Sequence, residues 1–347
     1  MQKHITIGNK IIGPGHDLFI IAETGVTCNY DMAITRDLID VAADAGADAI
    51  KFIFWFPEEI MADRSVTYSY QTVNGPRTEN MFEMLSKLRF NLDQWREIKA
   101  YADSRQLLMF ATVNSPSGIS YAEELELAAY KLSSWDFNYL PLWRSIAAMG
   151  KPLIIDTGPV TILDVAKVMR VMAEADNDQA VLIHCFHTDD PAEKNMRTIP
   201  YLAKAFGTPS GFSSSGREDE TDVMAVALGA SVIEKRLTMS RDLPGHHHFL
   251  SKNPEEFTAY IKMIRTVQAA LGEEVLMPSK GDLSERKKWF RHLVANEDIL
   301  AGTVLTAAMV EGKRGEAGIS PEHLDLVVGR TARRDLAKDE DLAWEDL

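Results

Sequence analysis

Eight short apolar runs, each closing on polar or small residues, recur in order along the chain: LFIIAETG, AIKFIFW, LLMFATV, AYKLSS, PLIIDTG, AVLIHCF, PSGFSSS and SVIEKRL. Most are apolar throughout rather than alternating, the pattern of strands covered on both faces. Stretches with helical spacing separate them. ITRDLIDVAADAGADA sets Ile34, Leu38, Val41 and Ala45 on one side and charges on the other, and NLDQWREIKAYADSRQ behaves similarly. Gly46, Gly150 and Gly229 stand where such helices stop before the next run. Eight strand-helix units in strict alternation predict an α/β fold closed into one parallel (β/α)8 barrel. An open doubly wound sheet fits less well, because no glycine-rich dinucleotide turn follows the first run.

The chain is longer than that barrel needs. Of its 347 residues, NPEEFTAYIKMIRTVQAALG reads as the closing helix and VLMPSKGDLSERKK as a polar link. The expected division is a barrel over 1–275, a linker over 276–287 and a small β-rich domain over 288–347. Within the last part VANEDILAGTVLTAAMV and TARRDLAKDEDLAWEDL align 37 positions apart, matching Ala295 with Ala332, Asp298 with Asp335 and Leu305 with Leu342. Two copies suggest a pseudo-symmetric unit, too small to be more than marginally stable alone.

Charge and cysteine content narrow the partners. Lys plus Arg number 37 against 51 Asp plus Glu, a net charge of −14, which repels phosphate backbones and makes nucleic acid an unexpected partner. Cys28 and Cys185 are the only cysteines and sit in apolar segments, which suits a reducing compartment. No run reaches membrane-spanning length, and MQKHITIGNKII lacks the features of a secretory signal, so a cytoplasmic protein with no membrane partner is expected.

Glu23, Lys51, Thr112, Lys131 with Ser134, Asp156, His184 with His187, Ser213 and Glu234 all lie at or near the C-terminal ends of the runs. In a barrel those ends converge on one mouth. Two lysines with hydroxyls from Thr112, Ser134 and Ser213 suit a phosphate or carboxylate. Glu23 reads equally as a general base and as a simple partner of Lys51.

LFIIAETG, Lys51-Phe52, YKLSSWDFNYLPLW, GKPLIIDTG, LIHC, GFS, AVALGASVIEK followed by LTMSRDLPG, and KRGEAGISP together resemble the sialic acid synthase family, which includes spore coat polysaccharide synthase-like proteins. The match runs nearly end to end, in order and with compatible spacing. The resemblance implies a (β/α)8 TIM barrel followed by an antifreeze-like SAF domain of β-clip type. It implies condensation of phosphoenolpyruvate with an N-acetylated amino sugar, such as N-acetylmannosamine, to a nine-carbon keto acid. It further implies a divalent metal, Mn or Mg, and a homodimer swapped so that each small domain covers the other protomer's barrel mouth. Carried over by position, Glu23 is the base, and Lys51, Thr112, Lys131, Ser134 and Ser213 hold phosphoenolpyruvate. Asp136, Glu234 and His247 lie on the sugar side, and Arg314 reaches the N-acyl group in the partner's site.

Departures from the family pattern fall at the metal. Its two histidine ligands correspond to Ser215 and Arg236, a weak hydroxyl ligand and a permanent cation. Asp156 stands in place of a phosphate-contacting serine, Thr27 and Cys28 replace an Asn-His pair, and His187 replaces an asparagine. An acid at 156 calls for a cationic partner, for which Arg236 is the candidate, or for a different ligand. His184, His187 and His247 are weak candidates for a relocated metal, although an odd separation puts His184 and His187 on opposite faces of a strand. Two alternatives stay open: a noncatalytic sugar-phosphate-binding relative, and an aldolase with Lys131 or Lys51 as a Schiff base.

Overall fold

All eight apolar runs form strands in the computed structural model, which describes residues 4–188, 190–214, 216–315 and 317–347. They are β1 (Phe19–Glu23), β2 (Ala49–Ile53), β3 (Leu108–Thr112), β4 (Tyr130–Leu132), β5 (Leu153–Asp156), β6 (Ala180–Cys185), β7 (Ser210–Ser213) and β8 (Val232–Arg236). Each pairs in parallel with its neighbours in chain order, and β8 closes onto β1. The eight outer helices are α1 (Met32–Ala45), α2 (Leu92–Ser104), α3 (Pro116–Glu124), α4 (Leu140–Ala147), α5 (Ile162–Glu174), α6 (Thr198–Phe206), α7 (Glu220–Ala227) and α8 (Pro254–Leu271). The buried stripe of α1 is Thr35, Leu38, Ile39 and Ala42, with Ile34, Val41 and Ala45 packed along its margins. It is thus rotated from the stripe read off the apolar spacing alone. Side-chain oxygens of Asp31, Asn91, Thr161 and Asn253 cap the N-termini of α1, α2, α5 and α8.

Alternation along the strands sets the barrel's vertical order. Inward-facing Phe19, Ile21, Ala49, Phe110, Ala129, Ile154, Val181, Ile183 and Val232 form one apolar cluster with Ile5, Ile7 and Ile12. The last three belong to an N-terminal hairpin, Ile5–Ile7 against Lys10–Ile12, that seals the floor. Each of these isoleucines contributes roughly 1.5–3 kcal/mol by leaving water. Two residues further up, the same inward face turns polar on six of the eight strands, from Ile21 to Glu23, Ala49 to Lys51, Phe110 to Thr112, Ala129 to Lys131, Ile154 to Asp156 and Val232 to Glu234. Between β2 and α2 the chain makes an excursion with a second hairpin, Thr67–Thr72 against Gly75–Asn80.

Glu273–Leu347 form a separate compact unit. The segment 276–287, read from sequence as a link, is partly helical: Lys280–Trp289 forms α9 with a Ser279–Asp282 capping box. None of its residues is buried, so it has no apolar stripe by which polarity could distinguish helix from link. Beyond it β9 (Arg291–Ala295) pairs antiparallel with β10 (Val310–Arg314). The echo of 37 positions is a structural dyad. Ile299 pairs with Leu336, its own equivalent, and the Val304–Thr331 bridge maps onto the Val294–Asp341 bridge. Asp298 Oδ1 accepts the Lys338 N–H and Asp335 Oδ1 the Ala301 N–H, again related by the same offset. Leu293, Ile299, Leu305, Leu336 and Leu342 fill the core between the copies.

Candidate active site

Parallel register decides which charges meet. Glu23 lies opposite Lys51, Arg236 opposite Glu23, and Ser213 opposite Glu234. Lys51 Nζ is 3.3 Å from Glu23 Oε1 and 3.2 Å from Glu234 Oε1. Lys131 Nζ is 2.8 Å from both Glu234 Oε2 and Asp156 Oδ2. Arg236 Nε is 3.6 Å from Glu23 Oε2, and Ser213 Oγ donates to Glu234 Oε1 at 3.3 Å. The result is a chain of alternating sign across the mouth: Arg236, Glu23, Lys51, Glu234, Lys131, Asp156. Lys235, between Glu234 and Arg236, faces outward and pairs with Asp222 at 2.8 Å.

Four of the six charges are held out of water, Glu23, Lys51, Lys131 and Glu234 being at most 5% exposed, while Asp156 and Arg236 stand half-buried at the two ends of the chain. Isolated burial of any of them would cost several kcal/mol, and the alternation offsets that cost. Burial pushes the Glu234 carboxyl up, but Lys131 and Lys51 outweigh it and bring it down to about 2. Burial works against the Lys131 ammonium, yet Asp156 and Glu234 together hold it above its ordinary value. For Asp156 burial wins over Lys131, and the carboxyl is raised. Of the two carboxyls that share the Lys131 ammonium, Asp156 is therefore the more readily protonated. Its cation is Lys131, where the sequence pointed to Arg236, because the Lys131 ammonium reaches β5 while Arg236 lies in register with Glu23. A strongly held ammonium is also a poor nucleophile, which weighs against Lys131 as a Schiff base.

The hydroxyls gather around the same opening. Thr112 is buried and in register with Lys131. Ser134, in the turn after β4, packs so tightly on Gly158 that any side chain at 158 would collide with its Oγ. Gly25 has a similar reason. Its N–H donates to Glu23 Oε1 at 2.8 Å, and a Cβ there would fall 2.6 Å from that oxygen. Asp136 sits half-buried in the Ser134–Asp136 turn, and burial raises its carboxyl to about 6. Beside the mouth a cavity of about 420 Å³ is lined by Gly158, Cys185 and His187 among others. Cys185 faces inward, and burial with nearby Asp156 pushes its thiol up to about 12, which leaves it unreactive, as does burial of Cys28.

The histidines take separate places. His184 faces outward, its Nε2 2.7 Å from the Lys194 carbonyl and its ring beside Phe186 and Phe212. His187 packs on the exposed Trp135 at 4.9 Å between ring centroids. His246 lies against Tyr68 and Tyr70 of the excursion hairpin, 5.6 and 5.9 Å away. His248 is fully engaged, with Nδ1 at 2.7 Å from Thr238 Oγ1 and Nε2 at 3.0 Å from Asn29 Oδ1. His247 has a left-handed backbone, φ 71°, and a buried Nδ1 that meets no hydrogen-bond partner among the described residues. Burial, Arg236, His246 and Lys51 hold it neutral, well below its usual pKa. Glu23 Oε2 and Asp156 Oδ1 likewise lack hydrogen-bond partners among the described residues. The tyrosine wall was missed in the sequence, although Asn74-Gly75 between two β-prone runs signals the hairpin.

A divalent metal does not fit these residues. No three His, Cys, Asp or Glu side chains among those described are arranged to hold one, and His184, His187 and His247 do not converge. Ser215 lies outside the described residues. At the end of β8 a guanidinium occupies the mouth, and the carboxylates a dication would seek already face Arg236, Lys51 and Lys131. Arg314, at the end of β10, stacks on Trp289 at 5.2 Å within the C-terminal unit.

Comparison with known proteins agrees with this architecture. The NeuB family model matches residues 38–276 and the SAF domain model residues 290–347. An uncharacterized protein of Methanocaldococcus jannaschii is 31% identical, covering 100% of this chain and 99% of its own. The N,N'-diacetyllegionaminic acid synthase of Campylobacter jejuni is 29% identical over 92% of this chain and 97% of that protein. The crystal structure of a Bacillus subtilis spore coat polysaccharide biosynthesis protein superposes with a TM-score of 0.66 at 27% identity, covering 99% of both chains. The chain belongs to the NeuB family and carries a C-terminal SAF domain. No helix among the described residues is long and apolar enough to cross a membrane.

Proposed function

We propose that this NeuB-family chain is a sugar-acid synthase that condenses phosphoenolpyruvate with an N-acetylated amino sugar, in the manner its synthase relatives suggest. The observation that carries the reading is Glu23. It is buried between Lys51 and Arg236, with one oxygen fixed by the Gly25 N–H and the other without a hydrogen-bond partner among the described residues. That is the posture of a base whose second oxygen awaits a reactant. Lys51 and Lys131 supply cations for the donor's carboxylate and phosphate, with Thr112, Ser134 and Ser213 as neutral donors. Asp136, Glu234 and His247 face the sugar, and Arg314 reaches it from the C-terminal unit of a second copy in a swapped dimer.

In the reaction the π pair of the donor's C2–C3 double bond forms the new bond to the sugar's aldehyde carbon. The aldehyde's π pair moves onto its oxygen. Water adds to donor C2, and Glu23 takes one of its protons and delivers it to the new alkoxide. Cleavage of the C2–O bond to phosphorus then leaves a ketone, and inorganic phosphate departs with the second proton. Positioning both reactants over one floor accounts for much of the acceleration.

A binding-only role is favoured by one feature: both lysines are already neutralised, leaving the six-charge chain with three positive and three negative members. Phosphate release from phosphoenolpyruvate in the presence of a panel of N-acetyl amino sugars separates the two. Turnover with at least one sugar is expected. Donor binding with no turnover on any of them would overturn the synthase reading.

A further inference from the structure

We propose that Asp156 couples binding of the donor acid to uptake of one proton: the acid takes the place of Asp156 on the Lys131 ammonium, and the released carboxylate is protonated. The inference rests on the donor-binding part of the reading above and leaves the condensation chemistry as written. Lys131 is 1% exposed, and its Nζ is already shared at 2.8 Å between Glu234 Oε2 and Asp156 Oδ2. An incoming anion therefore reaches this ammonium by displacing one of the two carboxylates. Asp156 is the one nearer water, with its side chain 18% exposed against 5% for Glu234.

The partners of the mouth carboxylates point the same way. Glu234 keeps Lys51 at 3.2 Å and the Ser213 hydroxyl at 3.3 Å when Lys131 turns to a ligand. Glu23 keeps Lys51 at 3.3 Å and the Gly25 N–H at 2.8 Å. Asp156 has Lys131 as its one ion-pair partner among the described residues. Its Oδ1 is buried with no hydrogen-bond partner among them, and the residue beside it in register on β6 is the apolar Ile183. A carboxylate that gives up its cation in such a setting, next to a newly bound anion, is stabilised by a proton. That proton comes from solvent and adds to a carboxylate oxygen, and no other bond changes. Burial already outweighs Lys131 and raises the Asp156 carboxyl before any ligand arrives, with Glu234 on β8 raising it further and Lys51 on β2 opposing. The other titratable groups that act on it are Cys185 on β6, a thiol pushed up to about 12, and His187 beyond β6, held below 6.5 first by burial. Both are therefore neutral from pH 7 to 9.

The test is calorimetric titration of the full chain with phosphoenolpyruvate from about pH 5.5 to about pH 9, in paired buffers of different ionisation enthalpy, so that the protons taken up are counted. The donor's phosphate loses its second proton at about pH 6, so above about pH 7.5 it adds no proton change of its own. The wild type is expected to take up about one proton more than Asp156→Asn at the pH of greatest uptake. Over that range its affinity should fall by up to about tenfold per pH unit, a slope the variant lacks. Asp156→Ser, which also has no titratable group, is a second variant with the same expected outcome, and His187→Gln should keep the uptake. Equal uptake in the wild type and either Asp156 variant would overturn the inference and leave the synthase reading standing, as would uptake lost in His187→Gln alone. Failure of phosphoenolpyruvate to bind at any pH would remove the donor assignment itself, and this inference with it.

Discussion

The barrel mouth and the C-terminal unit both rely on buried or capping carboxylates, and they use them in opposite ways. At the mouth Glu23, Glu234 and Asp156 face lysine and arginine side chains contributed by other strands. In the small unit Asp298 and Asp335 face backbone N–H groups across a dyad, and each fastens a turn of the other copy. A carboxylate that accepts from backbone fixes shape and has no charge partner to exchange. A carboxylate between side-chain ammonium groups can trade one partner for a ligand. The barrel concentrates its exchangeable charge at one end, and Asp298 and Asp335 show how the same residue type stabilises a fold through the backbone alone.

The largest effect that could break this contrast is chemical. Glu23→Gln keeps the shape and removes the proposed base, and turnover should fall by about 10²–10⁴-fold while calorimetric binding of the donor persists. Full activity in the variant would mean the mouth carboxylates are as structural as Asp298. Next is Lys131→Met, which strips the shared cation from Glu234 and Asp156. Uncompensated buried charge should cost about 3–5 kcal/mol in urea unfolding, against about 1 kcal/mol or less for the two exposed pairs lost in Arg96→Ala.

Acid should separate the regions too. His246 and His248 are 6% and 1% exposed, and burial holds both imidazoles down to about 4 from an ordinary 6.5. Because the folded values are depressed, the unfolded chain takes up protons first, and stability is lost as pH falls from about 6.5 toward about 4. Each group then contributes on the order of 3 kcal/mol of loss. Glu234, held to about 2, keeps its own contribution until far lower pH. Melting curves between pH 7.5 and 4.5 should show a steep decline that His246→Gln makes shallower; an unchanged slope would contradict it. The smallest expected effect sharpens the dyad. Asp298→Ala and Asp335→Ala should each cost about 1 kcal/mol, equal within error, by differential scanning calorimetry.

How much of this was legible depends on where the information lies. Parallel strands buried on both faces write themselves as apolar runs, so all eight were visible, and their C-terminal residues named most of the mouth. The echo at 37 positions was visible because a dyad repeats side-chain roles as well as shape. Partner choice was not: whether Asp156 meets Lys131 or Arg236 depends on strand register and side-chain reach, which a linear pattern does not carry. The N-terminal hairpin escaped notice because three-residue strands give too little periodicity to read. Three adjacent histidines look alike in a sequence, yet one is locked by Thr238 and Asn29, one is walled by tyrosines, and one is twisted into a left-handed backbone.

The isoleucine-sealed floor carries one more implication, for kinetics. On the proposed synthase reading, with the floor closed by Ile5, Ile7 and Ile12, traffic at the mouth is last in, first out: the smaller acid settles before the bulky carbohydrate arrives above it, and the lengthened product leaves before another acid enters. Initial-rate patterns would then follow a compulsory order of addition, written into the enzyme by a hairpin at the opposite end from the chemistry.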